Sequence, residues 1–242
     1  MRWFLGVHKL APKLAVRGDM GWEPPEVRHK GDMVRLWNRF ISMPDNRLTK
    51  QIFKWDLLSG QSWTREVETV FTEAGLQYIF RNNLKFSPKQ IKSILFDKYK
   101  LKWAEEIWSK PKLRTYCLIK YSFQSEPYVT LNLTRYQRSI CAQFRSGILP
   151  LALETGRFHS TPEEDRKCIL CDLDVVENEM HFLFYCPLYH SCRYTLFSKI
   201  PDIFSLSDDA KLMCMFNNHV FPLTKFMLDA YELRKSTLFV LR

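Results

Sequence analysis

No stretch of this 242-residue chain runs to 18 apolar residues, which argues against a membrane-spanning helix. Glycine is scarce at 8 residues and proline numbers 12, so low-complexity linker is not a major component. Glycine-rich phosphate loops are missing, and no repeat of about 20–50 residues is apparent. The opening run Met1–His8 is too short for a secretory leader, and Lys9 ends it. Catalytic pairings are also lacking. Asp208 and Asp209 follow Leu206-Ser207 with no aromatic strand residue before them, so they read as a helix N-terminus rather than a two-metal clamp. A zinc deaminase needs H-x-E ahead of P-C-x-x-C; here C-x-x-C comes first and His181-Phe182-Leu183 supplies no glutamate. With no nucleophile–base or carboxylate pair in view, the chain is expected to be non-catalytic, with no small-molecule substrate.

What is present is aromatic, cationic and cysteine-bearing. Aromatic residues make up 14% of the chain, which predicts a folded core. The length allows one large domain, or a main body with a small satellite. The seven cysteines are an odd number, and without a leader they point to a reducing, intracellular compartment, nucleus or cytoplasm. Four metal-capable residues stand at C-x2-C-x9-H-x4-C: Cys168, Cys171, His181 and Cys186. Two cysteines separated by two residues can turn their sulfurs on one point, and a third and fourth donor then return across a short loop. One structural Zn²⁺ suits this set, being tetrahedral and tolerant of thiolate and imidazole. Asn178 can cap a short helix through His181. Residues i and i+5 point about 140° apart on a regular helix, so the helix should loosen before Cys186, where Pro187 also disfavours helical backbone. The competing possibility is incidental buried cysteines. His190 and Cys192 are second-choice ligands, and Cys117, Cys141, Cys192 and Cys214 read as small hydrophobes.

The net charge of +10 is unevenly spread. Residues 1–160 hold 27 Lys and Arg against 14 Asp and Glu; residues 161–242 hold 9 against 12. Any grip on a phosphate backbone therefore belongs mainly upstream of the cysteine segment. A helix after Ser87-Pro88 carries the apolar row Ile91, Leu95, Tyr99, Trp103 and Ile107. Around that row stand Lys85, Lys89, Lys92, Lys98, Lys100 and Lys102. A second helix, capped at Asn132, places Leu133, Tyr136, Ile140 and Phe144 on one face and Arg135, Arg138 and Arg145 on the other, with Gly147 as its stop. Both cationic faces fit sequence-independent contacts to RNA or DNA phosphates, and both equally fit ordinary solvated surface. Further helices are predicted over Glu26–Met43, after Pro44, over Ser62–Ala74 and over Pro222–Phe239. Tyr116 to Leu131 has strand character, as a short hairpin or an extended connector.

Several segments together resemble a known family. Residues 143–157 (QFRSGILPLALETGR), Glu164 to Cys171 (EDRKCILC) and His181 to Pro187 (HFLFYCP) are similar to the reverse-transcriptase zinc-binding region at the C-terminal end of non-LTR, LINE-type retrotransposon polyproteins. Residues 4–12, 18–22 and 35–39 resemble the segment just past the polymerase core, and 233–239 resembles the family's C-terminus. The resemblance implies a helical region that helps hold template RNA and target DNA, with Cys168, Cys171, His181 and Cys186 as zinc ligands. It also implies a possible docking partner in the polymerase portion. No polymerase or endonuclease residue has a counterpart here, which implies a truncated or domesticated copy. The alternative is a protein-interaction module with incidental basic charge. The expected fold is mostly α: an irregular helical body with an embedded CCHC module and at most one short hairpin near 115–131. Its expected parts are a basic region (1–157), the zinc module (158–200) and C-terminal helices packing back on the body (201–242).

Overall fold

Helices supply nearly all the regular structure of the computed structural model, which describes residues 1–60 and 63–240. In chain order they are α1 (Arg2–Leu5), α2 (Lys13–Met20), α3 (Pro25–Ile41), α4 (Leu48–Ser59), α5 (Trp63–Ala74), α6 (Gln77–Arg81), α7 (Pro88–Trp108), α8 (Arg114–Ile119), α9 (Pro127–Thr130), α10 (Arg135–Arg145), α11 (Ala152–Thr155), α12 (His190–Phe197), α13 (Asp208–Asn218) and α14 (Val220–Val240). The expected start of α5 at Ser62 lies outside the described residues. Among the described residues, β-structure amounts to an isolated antiparallel bridge between Lys167 and Val176. The mostly helical, irregular body expected from the sequence is what the chain forms.

Two compact units emerge, one of residues 1–22 with 103–242 and one of residues 23–102. They fall elsewhere than the divisions at 157 and 200: the cysteine segment and the C-terminal helices share a unit with the first 22 residues. The apolar row of α7 explains part of this. Ile91 and Leu95 sink into the core of the smaller unit, whereas Trp103 packs edge-on against Tyr116 and Phe123 of the larger one.

The smaller unit is built around Trp37 of α3, which is fully buried. It meets Phe53 of α4 and Phe71 of α5 edge-on and stacks on Phe80 of α6, each contact adding to simple area burial. Its indole N–H donates to the Leu84 carbonyl at 2.9 Å, so its one polar atom is satisfied. Lys50 is buried too. Its ammonium donates to the carbonyls of Phe40 (2.7 Å) and Ile41 (3.2 Å), closing the C-terminal end of α3.

The larger unit packs α10, α12 and α13 around α14, with Phe144, Phe216 and Phe226 buried at the centre. Three expectations are corrected here. Residues 115–131 form no hairpin: they contain the short helices α8 and α9, joined by an irregular connector over 120–126. Their β-branched and aromatic side chains Tyr116, Ile119, Tyr128 and Val129 face the helical core, and among the described residues there is no neighbouring strand to pair with. Helix α10 is capped by Thr134 in a reciprocal box with Gln137, two residues later than Asn132, and its Tyr136 lies 77% exposed. Arg145 is completely buried and is not a surface cation. It grips Asp19 with two bonds (3.0 and 2.9 Å) and Glu126 at 2.9 Å, and lies over the rings of Tyr116, Tyr128 and Phe216. Lys120 completes the network by pairing with Glu126. Burial works against the Arg145 charge, yet the two carboxylates raise its pKa well above the usual value. Gly147 does end the helix: at φ +63° it lets Ile148 donate back to Gln143, and a side chain there would collide with the Lys112 carbonyl.

Candidate metal centre

Residues 166–177 fold into a tight loop held by the Lys167–Val176 bridge. The Cys168 N–H donates to the Val175 carbonyl (2.9 Å) and the Glu177 N–H to the Arg166 carbonyl (3.0 Å). Cys168 and Cys171 sit on this loop. Asn178 then accepts from the His181 N–H at 2.8 Å, the expected N-terminal cap. From His181 to Tyr185 the backbone widens into a π-helix, and the Cys186 N–H bonds the His181 carbonyl five residues back at 2.9 Å. That turn resolves the geometric difficulty posed by the x4 spacing. A regular helix would send His181 and Cys186 to different sides, whereas the wider turn brings them round to the same one.

The four donor atoms of Cys168, Cys171, His181 and Cys186 all lie within 4.8 Å of one another. The Cys168 and Cys186 sulfurs are 3.9 Å apart, and the Cys171 sulfur is 3.4 Å from His181 Nε2. Sulfurs at about 2.3 Å from a common tetrahedral centre stand about 3.8 Å apart, so the cluster has the dimensions to hold a metal ion. The chemistry of the donors agrees. A nearby backbone N–H two residues further on favours the thiolate at each sulfur, Leu170 for Cys168, Leu173 for Cys171 and Leu188 for Cys186, although burial raises the Cys171 thiol overall. The thiols are nevertheless coupled. The hydrogen bond to Cys186 and then burial push Cys168 up to about 12, while the same bond lowers Cys186. A cation among them would offset the cost of gathering thiolates in a buried place. His181 points Nε2 at the Cys171 sulfur, and its Nδ1 is buried with no protein partner. A tetrahedral ion held by all four donors would have no open position. His190 and Cys192 stand outside the cluster, on α12.

The centre is set into the core of its unit. Phe182, between the ligands, packs on Phe144, Tyr189 and Phe226. Residues that spacing did not single out hold it there. Buried Glu177 takes two bonds from Arg234 of α14 (2.9 and 2.6 Å) and one from the Ala152 N–H (2.6 Å). Glu179 takes two from Arg114 (3.1 and 2.7 Å) and one from Thr115. Arg193 donates to the carbonyls of Leu183 (2.8 Å) and Cys186 (2.9 Å), which the π-turn leaves available. The two glutamates flanking Asn178, just ahead of the apolar stretch Phe182–Phe184, were the available signal. Their partners, 57 and 65 residues away, had none.

The expected phosphate-binding side chains divide between the units. Lys85, Lys89, Lys92, Lys98, Lys100 and Lys102 belong to the smaller one; Arg135, Arg138 and Arg145 to the larger. Lys85, Lys89 and Lys102 are exposed. Lys92 lays its methylenes over Gly31, Lys98 donates to the Glu73 carbonyl, and Lys100 pairs with Asp97 at 3.0 Å above the Phe96 ring. Arg135 is exposed and Arg138 half-buried. Asp208 and Asp209 open α13 behind the Ser207 cap, as expected, and Asp208 also accepts from Tyr185 and Lys211. No helix among the described residues is long and apolar enough to cross a membrane. Comparison with protein-family models, with curated proteins and with solved structures returns no match for this chain.

Proposed function

We propose that this chain is a non-catalytic, zinc-stabilised nucleic-acid-binding region of the kind found at the C-terminal end of LINE-type reverse transcriptases. In this proposal it holds RNA template or target DNA by its phosphates, without reading sequence. The observation that carries the proposal is the closed Cys3His cluster, lying within the segments whose residues resemble that family. Three thiolates and an imidazole favour zinc over harder ions, and thiolate ligands call for a reducing compartment, nucleus or cytoplasm. Zinc in this role staples the fold and performs no chemistry. The grip is assigned to the basic side chains. The smaller unit's sequence, residues 23–102, holds 15 Lys and Arg against 9 Asp and Glu.

Gel-shift titration over a range of salt tests the proposal. Affinity for RNA or single-stranded DNA is expected to fall linearly in log–log form, and Lys85→Ala with Lys89→Ala to make the slope shallower by about two. Binding that ignores salt, or none at low salt, would contradict it. One observation favours a second function, protein docking to a polymerase portion or host protein. Helix α4 leaves Leu48, Ile52, Trp55 and Leu58 exposed on its surface.

A further inference from the structure

The larger unit carries a second cationic surface whose composition differs from that of the lysine helix. Residues 1–18 and 127–153, which include the contacting helices α1 and α10, contain seven Lys and Arg and not one Asp or Glu. Arg145 is consumed by Asp19, but Lys9, Lys13 and Arg135 are exposed. Aromatic rings stand among these charges. Trp3 is 79% exposed, with the Arg135 guanidinium 5.7 Å from its ring, and Tyr136 beside it in sequence is 77% exposed. Arg138 lies 4.5 Å over Phe4. The arrangement is firmly built. The Ser139 hydroxyl donates to the Gly6 carbonyl at 2.7 Å, and Gly6, at φ +66°, approaches Ser139 so closely that any side chain there would collide.

The exposed rings of Trp3 and Tyr136 and the exposed Arg135 guanidinium stand on two helices packed together, α1 and α10. Together they match the two faces of an unpaired nucleotide, a π-surface that stacks and a phosphate that seeks a guanidinium or ammonium. We propose that the α1–α10 surface is a stacking platform for single-stranded nucleic acid, in which Trp3 and Tyr136 take bases while the Arg135 guanidinium takes a phosphate. A duplex keeps its bases stacked on one another and cannot use the rings. This proposal rests on the nucleic-acid-binding function above and adds the strand type and the place.

Fluorescence anisotropy with labelled oligouridine, oligothymidine and a DNA duplex separates the two proposals. Trp3→Ala and Tyr136→Ala are each expected to weaken single-strand binding ~5-fold or more, leaving duplex affinity and salt slope unchanged. Tyr136→Phe keeps the ring and is expected to bind as the unaltered chain does. Loss on either single strand supports the platform, and the strand affected identifies RNA or DNA as the source. Alanine variants that bind both single strands normally, or that lose duplex binding equally, overturn the platform while leaving the broader function standing. An unaltered chain that binds no nucleic acid at low salt overturns both.

Discussion

Arg145 shows how a single side chain can change role between helix wheel and fold. On α10 taken alone it stands opposite the apolar face, where a phosphate contact is reasonable. In the fold that side of the helix meets Asp19, and the guanidinium joins two carboxylates in a place without water access. A buried ion pair adds little net stability when intact but is costly to break, because the partner charges stay behind. Arg145→Ala is therefore expected to lower unfolding stability by about 3–5 kcal/mol in urea titration, since Asp19 and Glu126 lose their shared cation. A loss under 1 kcal/mol would show that the network is not the pin between α2, the 120–126 segment and α10. The burial could not be seen in sequence because the partner lies 126 residues away. Lys50 and Lys120 are buried for similar reasons, each held by carbonyls or a carboxylate that no local pattern indicates.

At the scale of elements, the π-turn over His181–Tyr185 is the device on which the centre depends. Its need was legible: x4 spacing misaligns two ligands on a regular helix, so the backbone had to change between them. That it would widen, with Arg193 receiving the carbonyls of Leu183 and Cys186, was not legible, because α12 supplies the arginine from the far side of Pro187. Supports one shell out from metal ligands commonly change affinity ~10–100-fold. Arg193→Met is accordingly expected to weaken metal binding by at least tenfold in competition with a chromophoric chelator, while the ligands stay in place. Unchanged affinity would mean the turn holds without it. The same contrast governs the rest of the chain. Helices with an apolar row and clear boundaries, such as α3 and α7, were readable. The 115–131 segment was not, since its side-chain types favour strands and only burial against distant helices makes them helical.

For the whole molecule, the two units divide the expected labour along lines unlike those drawn in sequence. Residues 23–102 form an aromatic-cored unit bearing the lysine set, while the candidate metal site sits inside the other unit, tied by Glu177 to α14 and by Glu179 to α8. A centre so placed is expected to hold its unit together rather than to act as a detachable finger. Removing the metal should then loosen the packing of Phe182 against Phe144 and Phe226, well beyond the cysteine loop itself. The most direct measurement is the metal content of the purified chain by elemental analysis, alongside Cys171→Ser and near-ultraviolet circular dichroism. The expected result is one zinc per chain, lost in the variant together with part of the aromatic signal. A chain that folds with the same signal and no zinc, or a Cys171→Ser variant that keeps both, would contradict the account.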